Sequence, residues 1–115
     1  MRTLQLNKAL RESILQEMES DDRVFVFGED VALHGGLGEV TKGLLDRFGP
    51  DRVHDAPIAE SAIAGLAVGA ALMGMRPIVE MQFTGLLTVA LDQIANSAAK
   101  TRYVYNGAMN APLVI

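Results

Sequence analysis

The chain contains no cysteine and no tryptophan, and only 5% of its 115 residues are aromatic. Without cysteine it has no disulfides, no catalytic thiolates and no cysteine-ligated metal sites. Basic residues are also few: the chain has ten Lys and Arg, scattered along its length, and fourteen Asp and Glu, so that its net charge is −4. A phosphate-binding surface needs clustered cations. We therefore expect no nucleic-acid partner.

No uncharged run is long enough for a bilayer. The most conspicuous one, residues 61–75, has fifteen residues. As a helix it would measure about 22 Å, shorter than the roughly 30 Å hydrocarbon core. The first residues also lack the apolar segment of a signal peptide. The sequence predicts a buried helix, no membrane contact and a cytoplasmic protein.

Hydrophobic residues make up half of the chain, enough for a single core. An amphipathic helix is predicted over residues 5–19, where apolar side chains recur at steps of four. These side chains are Leu6, Leu10, Ile14 and Met18. The next apolar run, residues 24–27, is closed by Gly28 and is typical of a strand buried on both faces of a parallel sheet.

Strands and helices are predicted to alternate along the rest of the chain. The pattern predicts a helix over 41–48, a strand over 52–55, the apolar helix ending at Gly74, a strand over 77–83, a helix over 86–103 and a strand from 112. This alternation indicates an α/β fold with a mostly parallel sheet and right-handed crossovers. Because the chain stops within an apolar strand, we expect residues 1–115 to be the N-terminal part of a longer protein.

Glu60 is a lone carboxylate directly before the uncharged run. Burying such a charge costs free energy unless something neutralises or uses it. The alternative is a purely structural one, because a glutamate in the first turn of a helix is stabilised by about 0.3 to 1 kcal/mol. Glu29-Asp30 follows one predicted strand and Glu80-Met81-Gln82 lies at the end of another, and the carboxyl ends of parallel strands line ligand crevices. Alternatively, Glu29 is a turn residue and Gln82 a solvated strand end.

The helix after Glu60 has one face of small residues. Ser61, Gly65 and Gly69 recur every four positions, so another backbone can approach this face closely. Each glycine lowers helix propensity by about 1 kcal/mol, a cost that tight packing usually offsets. The packing partner is either another helix of the same domain or a second subunit.

Two further patterns carry no site. The glycines at 35, 36 and 38 lack the spacing of a phosphate-binding loop, since Thr41 stands where a dinucleotide fingerprint would be completed. His34 and His54 have no second ligand at metal spacing. We expect no metal site on this chain.

Several ordered motifs together resemble one protein family. They are Phe27-Gly28-Glu29-Asp30-Val31, Gly35-Gly36, Thr41-Lys42-Gly43-Leu44, Phe48-Gly49-Pro50-Asp51-Arg52-Val53, Ala56-Pro57-Ile58-Ala59-Glu60, Asp92-Gln93-Ile94 and Ala98-Ala99-Lys100. Along essentially its whole length the chain resembles the beta subunit of the thiamine-diphosphate-dependent component of 2-oxo acid dehydrogenase complexes, of pyruvate, branched-chain or acetoin type. The resemblance implies a transketolase-like pyrimidine-binding domain, here incomplete.

The resemblance also implies a catalytic role for Glu60. In this family the matching glutamate hydrogen-bonds the ring nitrogen N1′ of thiamine diphosphate. Sharing a proton there favours the imino tautomer of the cofactor, whose nitrogen can take the thiazolium proton. Implied cofactor contacts are Glu29, Ile58, Ala59, Glu60, Gln82 and Leu86.

One departure concerns the segment after Gln82. Family members with Gln-Phe-Ala-Asp-Tyr place an aromatic ring near the cofactor, whereas this chain has Leu86 at that position. Leucine can pack on a pyrimidine, but stacking and the hydroxyl contact are lost. Substrate class and cofactor affinity are therefore open.

The resemblance implies partners as well. The family's alpha subunit holds the diphosphate and its magnesium on a Gly-Asp-Gly motif, which this sequence lacks. An alpha-two beta-two heterotetramer, with a second beta subunit, docks on a lipoyl acyltransferase core and decarboxylates a small 2-oxo acid. Alone, this chain would hold half a site and be inactive. The alternative function is a non-catalytic α/β assembly module that packs through its glycine-faced helix.

Overall fold

The computed structural model describes residues 2–115 and contains a three-stranded parallel sheet of order β2-β1-β3. These strands are β1 (Val24–Gly28), β2 (Val53–Asp55) and β3 (Arg76–Glu80). The α-helices are α1 (Leu6–Ser20), α2 (Leu44–Phe48), α3 (Glu60–Leu72) and α4 (Thr101–Val104). The predicted α/β fold with a parallel sheet is confirmed.

Hydrophobic side chains fill both faces of the sheet. One core joins α1 and α2 to the sheet through Met18, Val24, Val26, Val31, Leu44 and Val53. The other joins α3 to the sheet through Phe25, Phe27, Ile63, Ala67 and Val79. Because successive side chains of a strand point to opposite faces, β1 contributes to both cores. All of its residues are buried, as its unbroken apolar run predicts.

Arg52 fastens the end of α1 to the sheet. Its guanidinium donates to the backbone carbonyls of Met18 (2.8 Å), Asp21 (2.9 Å) and Val24 (2.6 Å). The same group lies 5.0 Å from the centre of the Phe48 ring, in cation–π geometry. One side chain therefore satisfies three carbonyls where α1 turns into β1.

The end of α3 follows the prediction. Gly74 adopts a left-handed backbone with φ of 95°. The N–H of Met75 donates to the carbonyl of Ala70, and that of Gly74 to the carbonyl of Ala71, both at 3.0 Å. Glycine is favoured in this closing turn because it has no side chain to strain. Within residues 2–115 no helix combines the length and the apolarity needed to cross a membrane.

The single helix predicted over residues 86–103 is wrong. The segment instead contains a 3-10 turn (Thr84–Thr88), a π-helical turn (Gln93–Ala98) and the short α4. In the π turn the N–H of Ala99 donates to the carbonyl of Ile94, five residues earlier. Gly85 and several β-branched residues weaken the helical preference at the start of the segment.

Other elements are shorter than predicted. β3 ends at Glu80 rather than at 83, because its neighbour β1 ends at Gly28, the residue paired with Glu80. α2 begins only at Leu44, since Gly43 has a left-handed φ of 82°. Instead of a terminal strand, the structure has one parallel bridge between Val114 and Ile78.

The apolar stripe of α1 is buried only towards its C-terminal end. Met18 lies in the core, whereas Leu6 is 75% exposed. The periodicity therefore predicted the helix correctly but overstated how much of it packs on the sheet.

Candidate functional site at the carboxyl edge of the sheet

Three strand ends form one row across the sheet. Gly28, the last residue of β1, is in register with Asp55 of β2 on one side and with Glu80 of β3 on the other. In parallel sheets the carboxyl ends of all strands lie at the same edge, where ligands usually bind. The residues that follow this row are therefore the candidates for a site.

Glu29 follows the row directly and is 6% exposed. Its Oε1 atom is buried without a hydrogen-bond partner among residues 2–115. Burial raises the pKa of Glu29 above its ordinary value, and the negative charges of Glu60 and Asp30 raise it further. Such an unsatisfied carboxyl group is costly in the free protein and is suited to a ligand that donates a hydrogen bond.

Glu60 is the first residue of α3 and is 8% exposed. Ala59, before it, offers no side-chain cap to the free N–H groups of the first turn. The positive end of the helix dipole lies at this turn and favours a carboxylate. Because the charge of Glu60 acts on Glu29, the two carboxyl groups form a pair within electrostatic reach. We call them the carboxylate pair.

Gln82 joins the end of β3 to the carboxylate pair. Its Nε2 atom lies 3.5 Å from the backbone carbonyl oxygen of Glu29, at the outer limit of a hydrogen bond. The structure therefore brings together three of the residues predicted for the site, from three different elements.

The remaining predicted residues lie around the pair to different degrees. Ala59 is half-buried next to Glu60, whereas the side chain of Ile58 is 83% exposed. Leu86 is half-buried in the 3-10 turn that follows β3. No hydrogen bond or core cluster among residues 2–115 joins Leu86 to the carboxylate pair.

Asp55 and Glu80 also have defined roles at this edge, which the sequence pattern did not reveal. Asp55 accepts hydrogen bonds from the backbone N–H groups of Ala32 (2.7 Å) and Leu33 (3.3 Å). Glu80 accepts one from the N–H of Leu37 (2.5 Å). Asp55 ends the predicted strand 52–55, and Glu80 belongs to the polar cluster Glu80-Met81-Gln82, but neither pattern shows the contacts with Ala32, Leu33 and Leu37.

Cavities flank the carboxylate pair but do not enclose it. A hollow of about 490 Å³ beside β2 is lined by Phe25, Phe27, Pro57, Ala59 and Leu66, among others. A groove of about 500 Å³ beside β3 is lined by residues that include Leu10, Ile14 and Val114. Neither cavity is lined by Glu29 or Glu60, which are both buried in this chain.

Histidines do not form a metal centre in the part of the chain that is described. His34 Nδ1 lies 3.4 Å from Asp30 Oδ1, an exposed pair. No group of three His, Asp or Glu side chains among residues 2–115 is arranged to hold a metal ion.

The small-residue face of α3 packs partly within the chain. Ser61 Oγ donates to the backbone carbonyl of Val89 at 2.6 Å. A methyl group added at Gly65 would lie 3.3 Å from Gln93 Oε1, so the π-helical turn approaches closely here. A methyl group at Gly69 would meet no atom within 4 Å. The first half of this face therefore packs on the same domain, and the second half is open.

Residues 2–114 match the protein family described as the transketolase pyrimidine-binding domain. The chain therefore belongs to this family. The match covers both sheet faces and the entire carboxyl edge, and it agrees with the fold implied by the sequence motifs.

Among similar proteins are subunits of two dehydrogenases. The chain is 51% identical over 109 residues to the pyruvate dehydrogenase E1 component subunit beta of Rickettsia bellii, covering 95% of this chain and 34% of the relative. It is 50% identical over 107 residues to the 2-oxoisovalerate dehydrogenase subunit beta of Bacillus subtilis, covering 93% and 33%. The chain thus spans about a third of the length of these relatives.

Proposed function

We propose that this chain forms the pyrimidine-binding part of a thiamine-diphosphate-dependent 2-oxo acid dehydrogenase, within its beta subunit. The observation that carries the proposal is the carboxylate pair, two buried acids at the carboxyl edge of a transketolase-type sheet. The similarity to a pyruvate and to a 2-oxoisovalerate enzyme differs by one percentage point, so the proposed substrate class is 2-oxo acids.

The chemistry of the pair fits an aminopyrimidine. The unpartnered Oε1 of Glu29 needs a hydrogen-bond donor. A protonated pyrimidine nitrogen and an exocyclic amino group are such donors, and two acids can serve two donors. Like charges held this close also favour binding of a group that brings a proton or positive charge.

Bound thiamine diphosphate would supply a thiazolium carbon that becomes nucleophilic on losing its proton, and a ring that accepts electrons as carbon dioxide leaves. Glu60 would share a proton with the pyrimidine N1′ atom and so hold the tautomer that takes up the thiazolium proton. Glu29 would accept a second hydrogen bond. The backbone of Ile58 and Ala59 would flank the pyrimidine, Gln82 would face it, and Leu86 would give an apolar contact in place of an aromatic ring.

The proposal includes partners that complete the site. Because the sequence lacks Gly-Asp-Gly, we assign the diphosphate and its magnesium to an alpha subunit. The relatives named subunit beta support such an assembly, with two alpha and two beta subunits. Delivery of the acyl group to a lipoyl acyltransferase core is part of the same proposal.

Glu60→Gln tests this function. In the beta subunit assembled with its alpha partner, decarboxylation of a 2-oxo acid should fall by about 10²- to 10⁴-fold, because glutamine has no carboxyl proton to share with N1′. Circular dichroism should remain that of the wild type. The control is Glu17→Gln, an exposed carboxylate of α1, which should leave turnover unchanged. Wild-type turnover in the Glu60 variant would exclude the assigned role.

A second candidate function, a non-catalytic assembly module, is favoured by exposed apolar side chains near the open half of α3. They include Met73, which follows α3, and Val104 and Tyr105, which line a cavity together with Gly69. Patches of this kind mark interaction surfaces. If assembly is the only role, Gly69→Leu should disperse the oligomer in a mass measurement, while Glu60→Gln leaves both oligomer and cofactor binding unchanged. Loss of cofactor binding in Glu60→Gln would reject this candidate.

A further inference from the structure

In the row Asp55–Gly28–Glu80, Gly28 packs closely against the backbone of Glu80. A methyl group added at Gly28 would lie 2.7 Å from the backbone carbonyl oxygen of Glu80, closer than real side chains approach. The two flanking carboxyl groups are therefore held at fixed positions on either side of the residue that precedes Glu29.

The chain turns sharply directly after Glu29. Asp30 has φ of 56°, a left-handed backbone that non-glycine residues adopt only at a cost. Such a conformation persists when the surrounding structure fixes it. The direction in which Glu29 leaves the sheet thus depends on what holds the segment that follows, residues 30–41, which we call the edge loop.

The edge loop is closed on itself by hydrogen bonds. The N–H of Gly36 donates to the carbonyl of Asp30, and the N–H of Thr41 to that of Gly35, both at 2.9 Å. The buried hydroxyl of Thr41 donates to the carbonyl of Val31 at 2.7 Å. These bonds make the loop compact, but they do not fix it to the sheet.

Asp55 fixes one side of the edge loop. It accepts the N–H groups of Ala32 and Leu33 from the end of β2. Hydrogen bonds to a charged acceptor are stronger than those to a neutral one. The two bonds lie within four residues of Glu29 in the sequence.

Glu80 fixes the other side. Its Oε1 accepts the N–H of Leu37, and its carboxyl group fills the space where a side chain at residue 36 would be. Gly36 has a left-handed φ of 70° and leaves room for it. Glu80 Oε2 is buried without a partner among residues 2–115, and burial raises the pKa of this group. Glu80 therefore bears a desolvation cost to hold the loop.

We propose that Asp55 and Glu80 are positioning residues that fix Glu29 for the cofactor by clamping the edge loop from both neighbouring strands. The inference rests on the proposed function for its link to the cofactor. The clamp itself is a property of the free protein and can be measured without any ligand.

The test compares Asp55→Ala and Glu80→Ala with Asp55→Asn and Glu80→Gln in the beta subunit assembled with its partner. In the cofactor-free protein, hydrogen exchange of the Ala32 and Leu33 amides, or of the Leu37 amide, should accelerate about 10- to 100-fold in the matching alanine variant. Glu80→Gln should largely restore protection, since its amide oxygen still accepts, and Asp55→Asn should restore it in part. Asp51→Ala, an exposed acid with no side-chain contact to the loop, is the control.

Cofactor affinity is the second measurement. Titration with thiamine diphosphate and magnesium should give a dissociation constant about 10-fold higher in the alanine variants, with recovery in the conservative ones. The KM for the 2-oxo acid at saturating cofactor should stay near the wild-type value. A residue that only stabilised the fold would not raise the dissociation constant of the cofactor while leaving the KM for the 2-oxo acid unchanged.

Three outcomes would overturn the clamp. The first is unchanged hydrogen exchange of the loop amides in the alanine variants, and the second is that exchange of the β1 amides of Val26 and Phe27 accelerates as much as that of the loop amides. The third is wild-type cofactor affinity in a variant whose loop amides exchange faster. Failure of the proposed function has a different signature. In that case the wild-type assembly would not bind thiamine diphosphate at all, while the exchange experiment would still decide whether the carboxyl groups hold the loop.

Discussion

Two pairs of acids lie at one edge of the same sheet and differ in what satisfies them. Asp55 and Glu80 accept backbone N–H groups of the edge loop, although Glu80 satisfies only one of its two oxygens in this way. The carboxyl oxygens of Glu29 accept no hydrogen bond from the loop. Glu29 has an oxygen without a partner among residues 2–115, and its pKa is raised by burial and by the charge of Glu60. Gly28 lies between Asp55 and Glu80 in the sheet and directly precedes Glu29 in the sequence.

We interpret the difference as one between acids that hold the fold and acids that are proposed to bind a ligand. Hydrogen bonds from the loop stabilise Asp55 and Glu80 in the free protein. Glu29 is destabilising until a donor arrives, which is an arrangement typical of functional sites. Similar side chains at one edge thus have different roles, and the hydrogen-bond partners distinguish them better than burial does.

Gly28→Ala should have the largest effect on this edge of the sheet, because the added methyl group would collide with the backbone of Glu80 at 2.7 Å. Overpacking of this kind costs about 1 to 3 kcal/mol. Separation of β1 from β3 would also move Glu80 away from the edge loop. Urea unfolding of the cofactor-free protein measures the loss, and unchanged stability would show that the row can expand freely.

Glu29→Gln should stabilise the cofactor-free protein at pH 7 by about 1 kcal/mol, because it removes a buried negative charge that Glu60 and Asp30 repel. Since folding raises the pKa of Glu29 above its ordinary 4.5, the stability contribution of this group is fully present below pH 4.5 and is lost as pH rises through the folded value. The gain should therefore vanish near pH 4.

Thermal unfolding from pH 4 to pH 8 measures this pH dependence. Cofactor affinity should fall in the same variant, because the proposed second acceptor becomes an amide. A Glu29→Gln protein that is less stable than the wild type at pH 7 would place Glu29 with the structural acids instead.

Gly69→Ala should have the smallest effect and serves as the control for Gly28. No atom lies within 4 Å of the added methyl group, and Gly69 lies inside α3. Replacing glycine by alanine in a helix stabilises it by about 0.5 to 1 kcal/mol. Urea unfolding should show this gain in the free chain. A loss would mean that the second half of the small-residue face is covered.

Most of the regular structure could be predicted because short-range patterns control it. Apolar side chains at every fourth position predicted α1, the apolar run of residues 24–27 predicted β1, and Gly74 predicted the end of α3. The segment from Thr84 to Val104 was mispredicted as one helix. Its irregular turns depend on tertiary contacts, such as the bond from Ser61 to Val89, that a local pattern does not contain.

The site was predictable where residues carry unusual chemistry and not where they depend on register. Glu60 before an apolar helix, and Glu29 and Gln82 after strand segments, could be proposed from the sequence, although their cofactor roles stay predictions. Glu80 could also be placed at this edge, as part of Glu80-Met81-Gln82, but neither its proposed role in the clamp nor that of Asp55 could be predicted, because both depend on the register with Gly28. Strand register is a long-range property, and a shift by one residue would send both carboxyl groups to the other face.

The hydrogen bonds that Arg52 donates to backbone carbonyls affect how the protein unfolds locally. If α1 detached from the sheet, the carbonyls of Met18 and Asp21 would both lose the Arg52 donor, which would stay bound to Val24 in β1. Partial opening at this point is therefore expensive, and α1, β1 and β2 are expected to unfold as one cooperative unit. The strand that leads to Glu29 thus gains the lifetime of the whole unit rather than that of five residues.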